Sequence, residues 1–211
     1  MAKIKLTKGE LKRQRDSLKQ FQHYLPTLQL KKQQLQMKIL EARRALEEKE
    51  ASLSAQRQAI GRWAGLLADP MLAGLDVKAW AVPDRREIVV DAVNIAGANV
   101  PVLKEVRFKD PDYDLYLAPL WVDAALAALR RFVRDWVDAA LIREQIRILQ
   151  GALRVTTQRV NLFEKVKIPE CLENIRVVRI YLGDQQANAV GISKVAKKKI
   201  EAADSAGAAA A

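Results

Sequence analysis

Between Leu11 and Leu67 the chain holds 13 leucines and isoleucines, and 8 of them fall in one column of seven-residue steps. That column reads Leu11, Leu18, Leu25, Lys32, Ile39, Leu46, Leu53, Ile60 and Leu67. An even spread over the seven columns of a heptad would put about two there. A companion column three residues on runs through Gln14, Phe21, Leu28, Leu35, Ala42, Lys49, Gln56 and Trp63, with polar members that weaken the seam without erasing it. Steps of three, four and seven put these side chains on one face of a helix, so the pattern predicts a long helix paired with another. Thr7 and Glu10 have the spacing of a capping box, which places its start. Pro26 falls inside the pattern, yet Leu18, Phe21, Leu25, Leu28 and Leu35 keep one phase across it. A helix that ended and restarted would have no reason to hold register. The expectation is therefore a continuous helix from Thr7 to Ala68, bent at Pro26 and roughly 90 Å long.

The pattern stops at Ala68-Asp69-Pro70. Glu87 to Ile95 is β-branched, Ala96-Gly97-Ala98-Asn99 supplies turn residues, and Val100 to Phe108 reads as a returning strand that Pro101 confines to an edge. Pro119 suits the first turn of a second long helix. Its inward column runs Trp121, Ala125, Ala128, Phe132, Asp135, Ala139, Ile142, Ile146, Leu149, Leu153, Thr156, Val160 and Phe163. There it jumps five residues to Ile168, beside Pro169, and resumes through Leu172, Ile175, Arg179 and Leu182. The jump marks a local change of winding and a second expected bend.

The fold class that follows is mainly α: a long antiparallel two-helix coiled coil with a small middle region containing a β-hairpin. Its parts are the N-terminal helix (1–68), the middle region (69–118, hairpin at 87–108), the C-terminal helix (119–190) and a basic, then alanine-rich tail (191–211) expected to fray. If Pro26 and Pro169 lie at one level, Trp63 faces Phe132, Leu11 faces the neighbourhood of Asp184, and the chain beyond residue 190 overhangs Leu6.

Charge adds a partner to this picture. The net charge is +11, which calls for an acidic counterpart. Lys3, Lys5, Lys8, Lys12, Arg13, Arg15 and Lys19 crowd one end of the chain, and Lys194, Lys197, Lys198 and Lys199 the other. An antiparallel hairpin would bring both clusters to one pole. The bland reading is a solvated helix face; the functional one is a basic tip set among acidic surfaces. Nucleic acid is disfavoured, because only Phe21 and Tyr24 lie near enough to stack on bases. All four tryptophans (Trp63, Trp80, Trp121, Trp136) lie between 63 and 136, either filling the junction of hairpin and helices or left exposed as partner anchors.

Chemistry is sparse. There is no Gly-rich phosphate loop, no His/Cys/Asp/Glu set with metal spacing, and one histidine, so neither cofactor nor metal is expected. His23 reads as a solvated helix residue and Cys171 as a packing thiol whose lack of a partner fits a reducing compartment. The start lacks a signal peptide's apolar core, and the most apolar run, Leu115 to Leu129, is too short and too charged to span a bilayer.

Three stretches carry a family resemblance: Lys5-Leu6-Thr7-Lys8-Gly9-Glu10-Leu11, Leu25-Pro26-Thr27-Leu28-Gln29-Leu30-Lys31-Lys32 and, most strongly, Thr157-Gln158-Arg159-Val160-Asn161-Leu162-Phe163-Glu164-Lys165-Val166-Lys167-Ile168-Pro169. The last resembles the "RVNALE…IP" signature of the D subunit of V-type (vacuolar/archaeal-type) ATPases and ATP synthases, and the wording at Pro26 is similar to a bacterial branch. The resemblance covers most of the chain. It implies a non-catalytic central-stalk rotor shaft on the cytoplasmic side of the membrane, peripheral to it, coupling ATP turnover in a ring of A and B subunits to proton or sodium transport. It also implies a terminal pole inside that ring, with Lys8, Lys12, Arg13, Arg15, Lys19, Lys194, Lys197 and Lys198 as candidate contacts. The middle would meet the small F subunit of the stalk and a membrane-side adapter, through Trp80, Val90, Val102, Phe108 and Trp121. Lys32 and Lys49, the weak seam positions, are further candidates. A free-standing basic scaffold or a nucleic-acid binder is the alternative.

Overall fold

The computed structural model describes residues 4–68, 77–114 and 118–208. Helix α1 runs Lys8–Trp63, 56 residues with Pro26 inside it, and a 3-10 turn, Ala64–Ala68, ends it. A short helix α2 (Val77–Ala81) leads to strands β1 (Ile88–Ile95) and β2 (Ala98–Val106). Helix α3 covers Trp121–Leu162, a π-helical stretch follows at Phe163–Lys167, and α4 spans Ile168–Ala208. The expected mainly α fold with one antiparallel hairpin is the one found. Lys3, Asp69, Pro70 and Leu115, which entered the sequence reading, lie outside the described residues.

Local chemistry explains the boundaries. Thr7 Oγ1 accepts from the Glu10 amide at 3.2 Å, satisfying one of the orphan donors of α1. The other half of the expected capping box is absent: the Glu10 carboxylate instead accepts from Gln14 Nε2 at 2.8 Å. Along α1, every member of the two heptad columns from Leu11 to Leu67 is buried or half-buried. The hairpin turn needs only Ala96 (φ 50°) and Gly97 (φ 79°), both in the left-handed region of a primed two-residue turn. Asn94 Oδ1 accepts from the Gly97 amide at 2.9 Å, and Ala98 and Asn99 already pair in the sheet. β2 thus begins two residues earlier than the turn composition suggests. The register slips between Val89 and Val90, a bulge that leaves Lys104 without an opposite residue.

The chain divides into two compact units. Residues 30–156 form the hairpin-bearing unit. Its core cluster is Leu35, Ile39, Ala98, Val100 and Leu149: the inner face of β2 closes on α1 and α3. Gln145 Nε2 donates to the Pro101 carbonyl at 2.7 Å and fixes the strand on α3.

Residues 1–29 and 157–211 form the other unit. Phe21 packs on Phe163 with ring centroids 5.0 Å apart, and Asn174 Nδ2 reaches Gln14 Oε1 at 3.5 Å, so the two segments run antiparallel. These contacts correct the expected alignment. Counting from either pair, Pro26 and Pro169 stand some seven to eleven residues apart along the axis, roughly 10–16 Å, and not at one level. The five-residue jump of the column coincides with the π-helical stretch at Phe163–Lys167, whose wider turn absorbs one extra residue. Beyond it the inward stripe is Ile168, Cys171, Ile175, Val178 and Leu182. Leu172 and Arg179, expected in the seam, are exposed instead. The stretch expected to fray is helical as far as Ala208, and its residues from Gly191 to Ile200 are exposed.

Candidate partner-binding surfaces

In the unit of residues 1–29 and 157–211, an open groove is lined on α1 by Lys8, Lys12, Arg15 and Lys19 and on α4 by Arg176 and Arg179. The α1 cations stand at steps of four, three and four, hence one stripe of the helix. Leu11, Leu18, Leu172, Ile175 and Ile180 line the same groove, and Asp16 is its one acidic member. Of the expected contacts, Arg13 does not line it. Neither do Lys194, Lys197 and Lys198, which are exposed further along α4. Lys194 lies fourteen residues past Ile180, about 21 Å along the helix, so the two basic clusters follow one another rather than meet. Arg176 and Arg179 were missed because they become groove residues only once the helix alignment and the phase change at the π turn are known.

In the unit of residues 30–156, the seam has a polar centre. Lys49 Nζ reaches Asp135 Oδ1 at 3.2 Å and Asp138 Oδ2 at 3.0 Å. Gln56 Nε2 donates to Asp135 Oδ2 at 2.7 Å. The Asp138 hydrogen bond, opposed by burial and joined by Asp135, holds the Lys49 ammonium above its ordinary range. Burial pushes the Asp135 carboxyl up, but the Gln56 amide and the Lys49 ammonium outweigh it, and its pKa is lowered. Three of the polar seam positions, Lys49, Gln56 and Asp135, therefore answer one another. Lys49 is engaged inside its own unit.

The expected middle contacts differ in availability. Trp80 lies half-buried against Tyr113, ring centroids 5.3 Å apart. Phe108 sits under the guanidinium groups of Arg130 and Arg134, 5.4 and 5.8 Å from its centroid, and Arg130 Nε also donates to the Trp80 carbonyl at 3.0 Å. Val102 and Trp121 are half-buried and Val90 is exposed. The tryptophan left most open is Trp136, 54% exposed, in an apolar groove with Leu53, Phe132 and Val133. Phe132 shares that groove with Leu53 and Arg57, short of Trp63, its expected neighbour.

No group of three or more His, Cys, Asp or Glu among the described residues is arranged to hold a metal ion. Cys171 is buried, and that burial raises its thiol pKa, the opposite of nucleophile activation. His23 is exposed, edge-on to Tyr24. No helix among the described residues is long and apolar enough to cross a membrane.

The paired helices thus carry a basic groove in one unit and, in the other, a polar-centred seam and an open tryptophan. Residues 10–198 match the family model described as the D subunit of ATP synthase, and the chain belongs to that family. A protein of Borreliella burgdorferi, named as the D subunit of a V-type ATP synthase, is 40% identical over 202 residues, covering 95% of this chain and 96% of its own. Proteins with the same name from Chlamydia caviae (34% over 200 residues, 95% of each chain) and Chlamydia pneumoniae (35% over 198 residues, 94% of this chain and 93% of its own) are also similar.

Proposed function

We propose that the chain is the non-catalytic central shaft of a V-type ATP synthase or ATPase, turning with the catalytic cycle of an A/B ring and passing torque to a membrane ring that moves protons or sodium. The observation that carries this reading is α1, unbroken over 56 residues despite Pro26 and paired along its seam in each unit. Torque transmission demands continuous hydrogen-bonded backbone and a seam that holds under load. It also demands an outer surface that does not lock at one angle, for which mobile charged side chains serve better than apolar ones. The name borne by the relatives supports the same assignment.

In this reading the basic end works within the A/B ring. The middle unit meets the small stalk protein and the adapter, with Val90, Val102, Trp80, Phe108, Trp121 and the open Trp136 as candidate contacts. The complex sits on the cytoplasmic face of the membrane, and this chain does not enter the bilayer. The test is ATP hydrolysis by the cognate A/B ring with and without the full chain, together with the mass of the complex. One copy per ring and a changed rate are expected. Failure to bind the ring, with self-association or retention on RNA instead, refutes the shaft.

A further inference from the structure

In the unit of residues 30–156, a hollow of about 670 Å³ opens between α1 and α3. Arg130, Arg131 and Arg134 line it from α3, and Glu48, Lys49 and Ser52 from α1. Two of the arginines are gathered on one ring: the Arg130 and Arg134 guanidinium groups lie 5.4 and 5.8 Å from the Phe108 centroid. Arg130 is pinned as well, Nε donating to the Trp80 carbonyl at 3.0 Å and Nη2 to the Lys109 carbonyl. None of these contacts neutralises charge. Elsewhere the chain matches exposed cations to acids: Lys38 with Glu41, Arg143 with Glu50, Arg147 with Glu144, Arg176 with Glu173. Among the described residues, no ion pair joins any of the three hollow arginines to a carboxylate. Arg131 adds only a distant attraction to Asp135, whose oxygens Lys49 and Gln56 already hold. Lys49 is committed to Asp135 and Asp138, which leaves Glu48 as the one unengaged carboxylate for three guanidinium groups. Arg130 and Arg134 are also like charges four apart, an arrangement that destabilises a helix on its own.

From this we infer that the hollow is a binding site for a phosphate group, carried either by a small soluble phosphate compound or by a lipid headgroup. Guanidinium groups present planar forks of N–H donors, and a tetrahedral phosphate accepts from more than one fork at once. Arg131 and Arg134 are exposed with their forks unspent among the described residues, and Arg130 has N–H groups left after its two carbonyl bonds. Ser52 Oγ accepts from Gln56 Nε2 at 3.2 Å, so its O–H is left to donate. Room for the group comes from the short side chains of Ala45 and Ala127. Nucleic acid would need aromatic faces to stack its bases, and no aromatic side chain lines the hollow. A phosphate seated here bridges α1 and α3 beside the Lys49–Asp135 contact and fastens the seam. The inference does not depend on the shaft reading.

Isothermal titration calorimetry of the full chain with sodium pyrophosphate, against sodium chloride at equal ionic strength, tests it. The wild-type chain should take up one pyrophosphate, and its melting temperature should rise with the anion. Arg131→Gln with Arg134→Gln should weaken binding about tenfold or more, the loss expected of charge-assisted hydrogen bonds. Arg147→Gln with Arg154→Gln removes the same charge from α3 outside the hollow and should cost less than about threefold, as a screened surface charge does. Ala127→Leu alters no charge but fills the floor, and should weaken binding about threefold or more, which diffuse attraction would not show. Circular dichroism checks that each variant stays helical. Co-sedimentation with phosphatidylcholine vesicles, plain or holding about 20% phosphatidic acid, separates the two sources. Retention on the acidic vesicles that the Arg131/Arg134 variant loses assigns the site to a headgroup; pyrophosphate uptake without retention assigns it to a soluble phosphate. Pyrophosphate heats and melting no different from chloride, with no vesicle retention, would overturn the inference. So would equal losses in the hollow and control variants, or no loss in any of them.

Discussion

Leu35 gives the sharpest test of how the hairpin is held. Its side chain is fully buried where Ala98 and Val100 of β2 meet Ile39 of α1 and Leu149 of α3. Leu35→Ala removes three carbons, about 2.4 kcal/mol at about 0.8 kcal/mol per buried methylene. The space left behind adds a cavity cost, and one side of the site is a two-stranded hairpin that can settle inward, which keeps that cost small. The expected loss is about 3 kcal/mol, in the lower half of the range for buried leucines. Urea unfolding followed by circular dichroism measures it, with Leu40→Ala as the comparison. Leu40 lies on the same helix but is half exposed, and its truncation should cost less than about 0.5 kcal/mol. Amide exchange in Ala98–Val106 should quicken in the Leu35 variant. A loss under about 1 kcal/mol, or one equal to that of Leu40→Ala, would mean that the hairpin does not rest on this cluster.

Two further outcomes follow from the seam. Asp135 has a folded pKa below its ordinary value and Lys49 one above it. Their contribution is therefore present near neutrality, is lost on the acid side as pH falls through the lowered carboxyl pKa below about pH 4, and is lost on the alkaline side above about pH 10.5. Lys49→Met should flatten the alkaline limb of a stability–pH curve, and an unchanged limb would sink the coupling. Pro26 removes a backbone donor within a helix that nevertheless continues, so Pro26→Ala should raise thermal stability by about 1–3 kcal/mol. A variant no more stable than the parent would show that the helix needs the proline.

What was legible in the sequence is what periodicity encodes. The seventeen seam positions from Leu11 to Leu67 read correctly because burial repeats with the heptad, and the five-residue jump at Phe163 announced the π turn. The alignment of the paired segments did not read, because a heptad pattern slid along another remains a heptad pattern. Only specific fits such as Phe21 on Phe163 or Lys49 between Asp135 and Asp138 choose among the slips. Leu172 and Arg179 were misplaced because steps of four-three and three-four are equally helical after a winding change, and the sequence column followed the wrong one. The candidate groove was half visible for the same reason: its α1 rim is a stripe in the sequence, while its α4 rim depends on phase and alignment. Turn length misled at the hairpin, where four turn-forming residues are present and two suffice.

The π-helical stretch has a consequence for how this protein can change in length. Along an ordinary stretch of α3 or α4, gaining or losing one residue rotates everything downstream by about 100° and carries the buried stripe to the surface. Within Phe163–Lys167 one residue is already surplus, so losing it would restore the ordinary winding while Phe163 and Ile168 still faced inward, now four apart. Pro169 ties the surplus down. In a regular helix the ring of Pro169 would strike the carbonyl four residues back, so a shortened chain that kept the proline would have that clash to accommodate. The spare residue and the proline are thus best gained or lost together, and in a set of homologous chains a one-residue gap here should travel with a substitution at Pro169.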